Sequence, residues 1–266
     1  YMFGLKKRKI GLALSSGGAK GITHVGVLKE LERNNIHIDY IAGCSAGALA
    51  GALYAVTQST KAIEDILYSI DYKKFNEYFY DFSFKSGLVK GDKLFNFLDN
   101  YIDDNMLIQD TKIPLNIVAT DLNSGKRFVF KEGNLKQAIR ASMSMPFIFE
   151  PIKLNDMVLV DGGLTEVIPA KTVREMGATK VIGVNLNYGG FARDLSKQNL
   201  TLLKVANESM EVVFRELAYR DSLLADVCID MPIESIPLST FADDPTNLID
   251  IGIKETRKRI PEIKLL

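Results

Sequence analysis

Apolar residues come in short runs divided by polar and glycine-rich punctuation, and the runs alternate between two periods. Ile10 to Leu14 is an unbroken apolar stretch of strand length, closed by Ser15-Ser16-Gly17-Gly18. From Ala19 to Asn34, residues Ile22, Val25, Val27, Leu28 and Leu31 suit a helix, and Asn34-Asn35 supplies a stop. Ile36 to Ile41 returns as a strand. The small residues Ala48, Ala50, Gly51, Ala52 and Ala55 then predict a helix that can lie very close to its neighbours. Strand, helix, strand, helix within about 50 residues predicts a parallel sheet with right-handed crossovers.

Farther along, Leu115 to Ala119 and Phe128 to Phe130 read as strands around the turn Asn123-Ser124-Gly125. Leu135 to Ser142 reads as a helix, and Met157 to Val160 and Val181 to Leu186 as strands. Val205, Met210, Val213, Leu217 and Leu224 predict a long amphipathic helix from about Leu200 to Leu224, taken as packing. Asp230 to Asp250 reads as loop and Ile251 to Arg259 as a helical tail. Without an internal repeat or a Pro/Gly-rich linker, a single domain over residues 1–266 is expected.

Composition narrows the classes. At 47% hydrophobic and 25% charged residues, the chain can bury a sizeable core. Lysine plus arginine (33) equal aspartate plus glutamate (33), which gives no argument for a nucleic-acid partner. Two distant cysteines, Cys44 and Cys228, exclude a disulfide framework or Cys-rich zinc site and fit a reducing compartment, so a cytoplasmic location is expected. The basic cluster Lys6-Lys7-Arg8-Lys9 precedes an apolar run too short for a secretory signal. It reads as a flank of the first strand, with weak attraction to anionic lipid heads as the alternative. No stretch reaches the length of a spanning helix. Tyr1 ahead of Met2 reads as an added residue, with Met2 the natural start.

Three segments carry chemistry. Gly43-Cys44-Ser45-Ala46-Gly47 follows an apolar strand and precedes the small-residue helix, the setting of a nucleophilic serine on a sharp turn. Its bland alternative is a tight turn whose serine caps the helix. Gly17-Gly18-Ala19-Lys20-Gly21 opens a helix after the first strand, where backbone N–H groups and the helix dipole favour an anion. Neither a dinucleotide fingerprint nor a Walker loop is complete there. Lys20 is either a solvated lysine or a charge that orients a substrate phosphate. The chain has only two histidines, His24 inside a helix and His37 at the far end of a strand, about 25 Å from Ser45 if extended. Both read as surface or packing residues, so a base for Ser45 is expected to be a carboxylate. Asp161, in Val158-Leu159-Val160-Asp161-Gly162-Gly163, ends an apolar strand at the kind of sheet edge where ligand crevices form; its bland alternative is a turn.

Together, SSGGAKGITHVGVL, IAGCSAGALAGALYA and VDGGL resemble, in that order, the signature segments of patatin-like phospholipases. VATDLNSGKRFVF and RASMSMPFIFEPI resemble segments of its bacterial members. The motif-bearing part covers about residues 9–186, with a helical part at about 198–266. The resemblance implies a three-layer α/β/α fold about a central, mostly parallel sheet. It implies a serine lipid acyl hydrolase that uses a Ser–Asp dyad and no metal or cofactor, with Ser45 as nucleophile and Asp161 as base. The amides of Gly17, Gly18 and Ala19 would form the oxyanion hole, and the substrate would be a (lyso)phospholipid or related acyl ester. Ser16 stands where the family often has glycine, and Lys20 where it often has arginine, which weakens any bidentate phosphate role.

Eight of the 24 aromatic residues fall between Tyr68 and Phe84, mixed with Lys73, Lys74 and Lys85. The segment reads either as a packed helix and loop or as a lid or interfacial patch in transient contact with a membrane surface. Two further functions remain open from sequence: a small-ester carboxylesterase or thioesterase, and a non-catalytic ligand-binding module on the same fold.

Overall fold

A computed structural model describes residues 8–70, 89–91, 96, 98–188, 195–196, 199–233 and 245–266. The aromatic segment from Tyr68 to Phe84 therefore lies almost wholly outside the described residues, as do Lys6 and Lys7. Strands β1 (Ile10–Leu14), β2 (Tyr40–Cys44), β3 (Leu115–Asp121), β4 (Lys126–Phe130), β5 (Ile152–Leu154), β6 (Met157–Asp161), β7 (Lys180–Asn185) and β8 (Val227–Asp230) form one sheet. Its order is β5-β6-β3-β2-β1-β7-β8, with β4 also on β3. The β1–β2, β2–β3, β1–β7 and β7–β8 pairs are parallel, whereas β4 and β6 run against β3, and β5 against β6. Helices are α1 (Thr23–Arg33), α2 (Ala46–Thr57), α3 (Thr60–Ser69), α4 (Leu135–Ser142), α5 (Ala170–Glu175), α6 (Leu202–Ser222) and α7 (Thr246–Leu265).

Side-chain alternation divides the core between the two faces of the sheet. Leu12, Leu14, Ile41 and Ile117 join Val25, Leu28, Ala52, Ile139 and Ile249 on the face covered by α1, α2, α4 and α7. Ala13, Ala42 and Val181 join Val173, Phe214 and Ala218 on the face covered by α5 and α6. The expected three-layer, mostly parallel architecture is what the chain adopts. Among the described residues, no helix is long and apolar enough to cross a membrane.

Several boundaries differ from the sequence reading. The helix expected from Ala19 begins as a 3₁₀ turn, Gly18–Ile22, and turns α-helical at Thr23. At Gly21 an added Cβ would stand 2.5 Å from that of Ala46, so this tight turn lies directly against the start of α2. The second strand, expected to start at Ile36 and end at the Ser45 turn, does end there but starts only at Tyr40. Asp39 instead braces β1, its backbone N–H bonding to the Ile10 carbonyl and its carboxylate accepting from Ile10 N–H at 2.7 Å. At the other end, Asp230 closes β8 and the helical tail extends through Pro261 to Leu265. Burial of Ile260 and Ile263 carries the helix past a proline that reads as a stop.

Candidate active site

Ser45 sits between β2 and α2 with φ 52° and ψ −119°, a left-handed conformation that costs a non-glycine residue about 1–3 kcal/mol. The surroundings hold it there. Its backbone N–H donates to Ser142 Oγ at 2.8 Å, and that fully buried hydroxyl donates to the Val118 carbonyl at 2.6 Å. The flanking glycines make the turn sterically possible. A Cβ on Gly47 would stand 2.1 Å from the Leu14 carbonyl oxygen, and one on Gly43 would stand 2.5 Å from the Gly47 carbonyl oxygen. The elbow is thus pressed against the end of β1, and only glycine allows that approach.

Register brings Asp161 to the same place. Cys44, the last residue of β2, pairs with Val118 of β3, while Asp161, the last residue of β6, pairs with Ala119. The two strands run in opposite directions along one edge of β3 and end head to head at consecutive partners. Asp161 thus reaches the site from an antiparallel strand, a correction to the parallel-edge placement read from sequence. Its carboxylate is 1% exposed. Burial pushes its pKa up to about 6, and the neighbouring Ser45 hydroxyl, Gly163 N–H and Cys44 thiol act in the opposite direction. The Gly163 bond is 2.8 Å, and Cys44 Sγ lies 3.9 Å from Oδ1. Burial and the Asp161 charge raise the Cys44 thiol well above its ordinary range, so it is protonated.

Facing Ser45 is the glycine loop. Gly17, Gly18, Ala19 and Lys20 line a small cavity of about 40 Å³ together with Ser45, Ser16, Met145 and Asn187. Its roof is α6, through Asn207, Glu211 and Phe214. The 3₁₀ turn starts at Gly18, so the amides of Gly18 and Ala19 precede its first internal bonds. Lys20 is 5% exposed, so it is not the solvated lysine of the first alternative.

Of the expected site residues, Ser45, Gly17, Gly18, Ala19 and Lys20 therefore line one cavity, and Asp161 ends β6 next to Cys44, the residue before Ser45. Neither histidine joins them: His37 is exposed near Asp39, and His24 is fully buried on α1 with Nε2 2.9 Å from the Ser15 carbonyl oxygen. Sequence reasoning missed Ser142, whose role depends on a contact 97 residues away, and Asn187, whose amide donates to the Ser16 carbonyl at 2.7 Å. It also took α6 purely as packing, whereas Asn207, Glu211 and Phe214 close the cavity. Among the described residues, no group of three His, Cys, Asp or Glu side chains is placed to hold a metal ion.

The family model described as patatin-like phospholipase matches residues 12–174. An uncharacterized NTE family protein of Mycobacterium tuberculosis is 30% identical over 203 residues, covering 74% of this chain and 55% of that protein. Human patatin-like phospholipase domain-containing protein 6 is 30% identical over 181 residues, 66% of this chain and 13% of that one. The lysophospholipase NTE1 of Scheffersomyces stipitis is 28% identical over 213 residues, 73% and 12% respectively. The chain thus spans about half of the first relative and about an eighth of the other two. Among solved structures, VipD from Legionella pneumophila superposes with a TM-score of 0.54 at 14% identity, over 96% of this chain and 67% of that one, a likeness of fold. On the matched model and these relatives, the chain belongs to the patatin-like phospholipase family.

Proposed function

We propose that the chain is a serine lipid acyl hydrolase that cleaves carboxylic esters of (lyso)phospholipids or related lipids through a Ser45–Asp161 dyad. The observation that supports this reading is the meeting of the β2 end, which leads into Ser45, with the β6 end at Asp161 on the consecutive β3 partners Val118 and Ala119, with no histidine lining the cavity among the described residues. Ser45 Oγ attacks the ester carbonyl while Asp161 takes its proton. The tetrahedral oxyanion is held by amides in the Gly17–Ala19 loop, and its collapse expels the alcohol, which takes the proton from Asp161. Asp161 then removes a proton from water, which attacks the acyl-enzyme. Collapse of the second tetrahedral intermediate breaks the Oγ–acyl bond, releases the carboxylic acid, and returns the proton from Asp161 to Ser45 Oγ. Lys20, at the same cavity, is suited to draw an anionic head group toward the loop. The family and the lysophospholipase relative support lipid as the substrate class, which would bring the protein into transient contact with a membrane surface.

One observation favours a second reading. A cavity of about 40 Å³ is far below the roughly 300–1,000 Å³ of ordinary ligand pockets, which suits a small acyl group if α6 stays in place. A panel of p-nitrophenyl esters from acetate to palmitate, run beside phospholipid and lysophospholipid substrates, separates the two. The lipid reading expects turnover of long-chain substrates, and activity confined to acetate and butyrate would replace it with a small-ester esterase. Fluorophosphonate labelling of wild type and its absence in Ser45→Ala is expected in both cases. A wild type that neither labels nor hydrolyses any ester would leave a binding module.

A further inference from the structure

The buried ring of His24 is unused in this scheme. Its Nε2 faces a carbonyl oxygen, which can only accept, so Nε2 carries the hydrogen and Nδ1 is a bare lone pair. That Nδ1 has no hydrogen-bond partner among the described residues. Burial lowers the ring's pKa to about 4, which keeps it neutral. Filling space does not account for such a residue, because a phenylalanine or methionine fills a similar volume without an orphaned nitrogen.

What the ring does supply is one bond with a particular topology. The Ser15–Ser16 segment, which leads into the glycine loop, is held from several sides. Leu186 N–H donates to Ser15 Oγ at 3.0 Å, Ser16 N–H to the Val167 carbonyl at 3.0 Å, and the Asn187 amide to the Ser16 carbonyl. Those contacts come from the residues just after β7 and from the segment after Asp161. The His24 bond instead comes from α1, which follows the loop, and it spans nine residues of sequence. It ties the loop's exit to its entrance. Helix α1 is itself fixed, since α7 packs so closely on it that a Cβ on Gly252 would stand 2.3 Å from the Thr23 carbonyl oxygen.

We propose that His24 is a positioning residue: its neutral imidazole, donating from Nε2 to the Ser15 carbonyl, closes the loop between Ser15 and His24 on itself and fixes the Gly17–Ala19 amides relative to Ser45. This rests on the oxyanion-hole reading above. An amide donor displaced by about 1 Å loses rate on the order of a hundredfold, with little effect on ground-state binding.

The test compares His24→Gln, whose amide nitrogen reaches the position of Nε2, with His24→Met, which has similar length and no donor. With p-nitrophenyl butyrate, His24→Met is expected to lower kcat about 10- to 100-fold with KM within about threefold, and His24→Gln to recover to within about fivefold of wild type. A His24→Met enzyme with wild-type kcat, or a His24→Gln enzyme no better than His24→Met, overturns the proposal. Should the variants not fold, side-chain ¹⁵N spectra of wild type decide, since exposed His37 gives the only other histidine signal. An Nε2–H tautomer whose signal moves when Ser45 is phosphonylated is expected. An Nδ1–H tautomer, or a signal indifferent to phosphonylation, overturns the assignment. Full activity in Ser45→Ala would instead sink the hydrolase reading, a failure the tautomer measurement separates from that of the loop bond.

Discussion

Replacing Ser142 with alanine tests whether the conformation of Ser45 is imposed by its surroundings. The hydroxyl has no exposed surface and does two jobs, accepting from Ser45 N–H at 2.8 Å and donating to the Val118 carbonyl at 2.6 Å. Ser142→Ala leaves a buried donor and a buried acceptor unsatisfied, each costing about 1–3 kcal/mol. Relaxation of Ser45 from its left-handed conformation returns part of that strain, so a net loss of about 2–4 kcal/mol is expected. For a chain of this size that corresponds to a fall in Tm of roughly 5–10 °C, read by calorimetry. Relaxation of the turn also moves Oγ from its place beside Asp161, and a shift of about 1 Å lowers kcat on the order of a hundredfold. Ser209→Ala is the control, because that hydroxyl lies on the exposed side of α6 and bonds only its own helix at Val205; it should stay within about 0.5 kcal/mol of wild type. If Ser142→Ala melts within about 1 °C of wild type and keeps its kcat within about twofold, the turn is held by something other than this hydroxyl.

Three further outcomes follow from the same geometry. Because burial holds Asp161 at about 6, hydrolysis of a soluble ester should rise about tenfold per pH unit below that value and level off above it. The folded pKa lies above the ordinary 3.8, so the native state keeps an extra proton between about pH 4 and 6, and this group's contribution to stability falls as pH rises through that window. Asp161→Asn should therefore lose activity yet melt no lower than wild type at pH 7.5, and a clear drop in Tm would contradict the burial argument. Gly47→Ala should destabilise by about 3 kcal/mol or more, or fail to fold, since its Cβ would meet backbone of β1 that cannot swing aside; a soluble protein with wild-type chemical denaturation would refute the close approach.

What the sequence made legible was local. Ile10–Leu14, Leu135–Ser142 and Lys180–Asn185 carry their structure in an uninterrupted run or a helical period, and the strands and helix fall close to where those patterns place them. Helix α6 was legible in extent and only partly in orientation. Of the residues chosen for their spacing, Met210 and Leu217 pack against the core, Val205, Val213 and Leu224 are half-exposed, and Phe214 and Ala218 face the core unannounced. Several overlapping apolar stripes exist on that helix, and tertiary packing selects among them. Strand β8 has four residues, VCID, too few to announce a period. The glycine loop, Ser45 and Asp161 were legible because their chemistry needs unusual residues in close sequence. Ser142, Asn187 and the loop-closing bond of His24 were not, because each acts through one contact with a distant or backbone atom, and an isolated serine, asparagine or histidine gives no sign of such a contact.

The strand directions explain how a carboxylate comes to stand at the end of β2, where the proposed mechanism needs a base. An imidazole delivered from a loop needs a third group to orient it, whereas Asp161 is oriented by its own backbone, since β6 is locked to β3 at Ala119, Thr120 and Asp121. A slip of one residue in that pairing would turn the carboxylate to the opposite face of the sheet, and a slip of two would move it about 7 Å along β3. Gly162 marks where β6 must end. A Cβ there would lie 2.3 Å from the Val118 carbonyl oxygen and 3.0 Å from Cys44 Sγ, so any larger residue would hold the ends of β2 and β6 apart. The Asp-Gly pair is thus a geometric requirement for two strands that meet end on. Burial raises the carboxylate's pKa to about 6, which in the proposed mechanism is high enough to take a serine proton and low enough to be ionised at neutral pH.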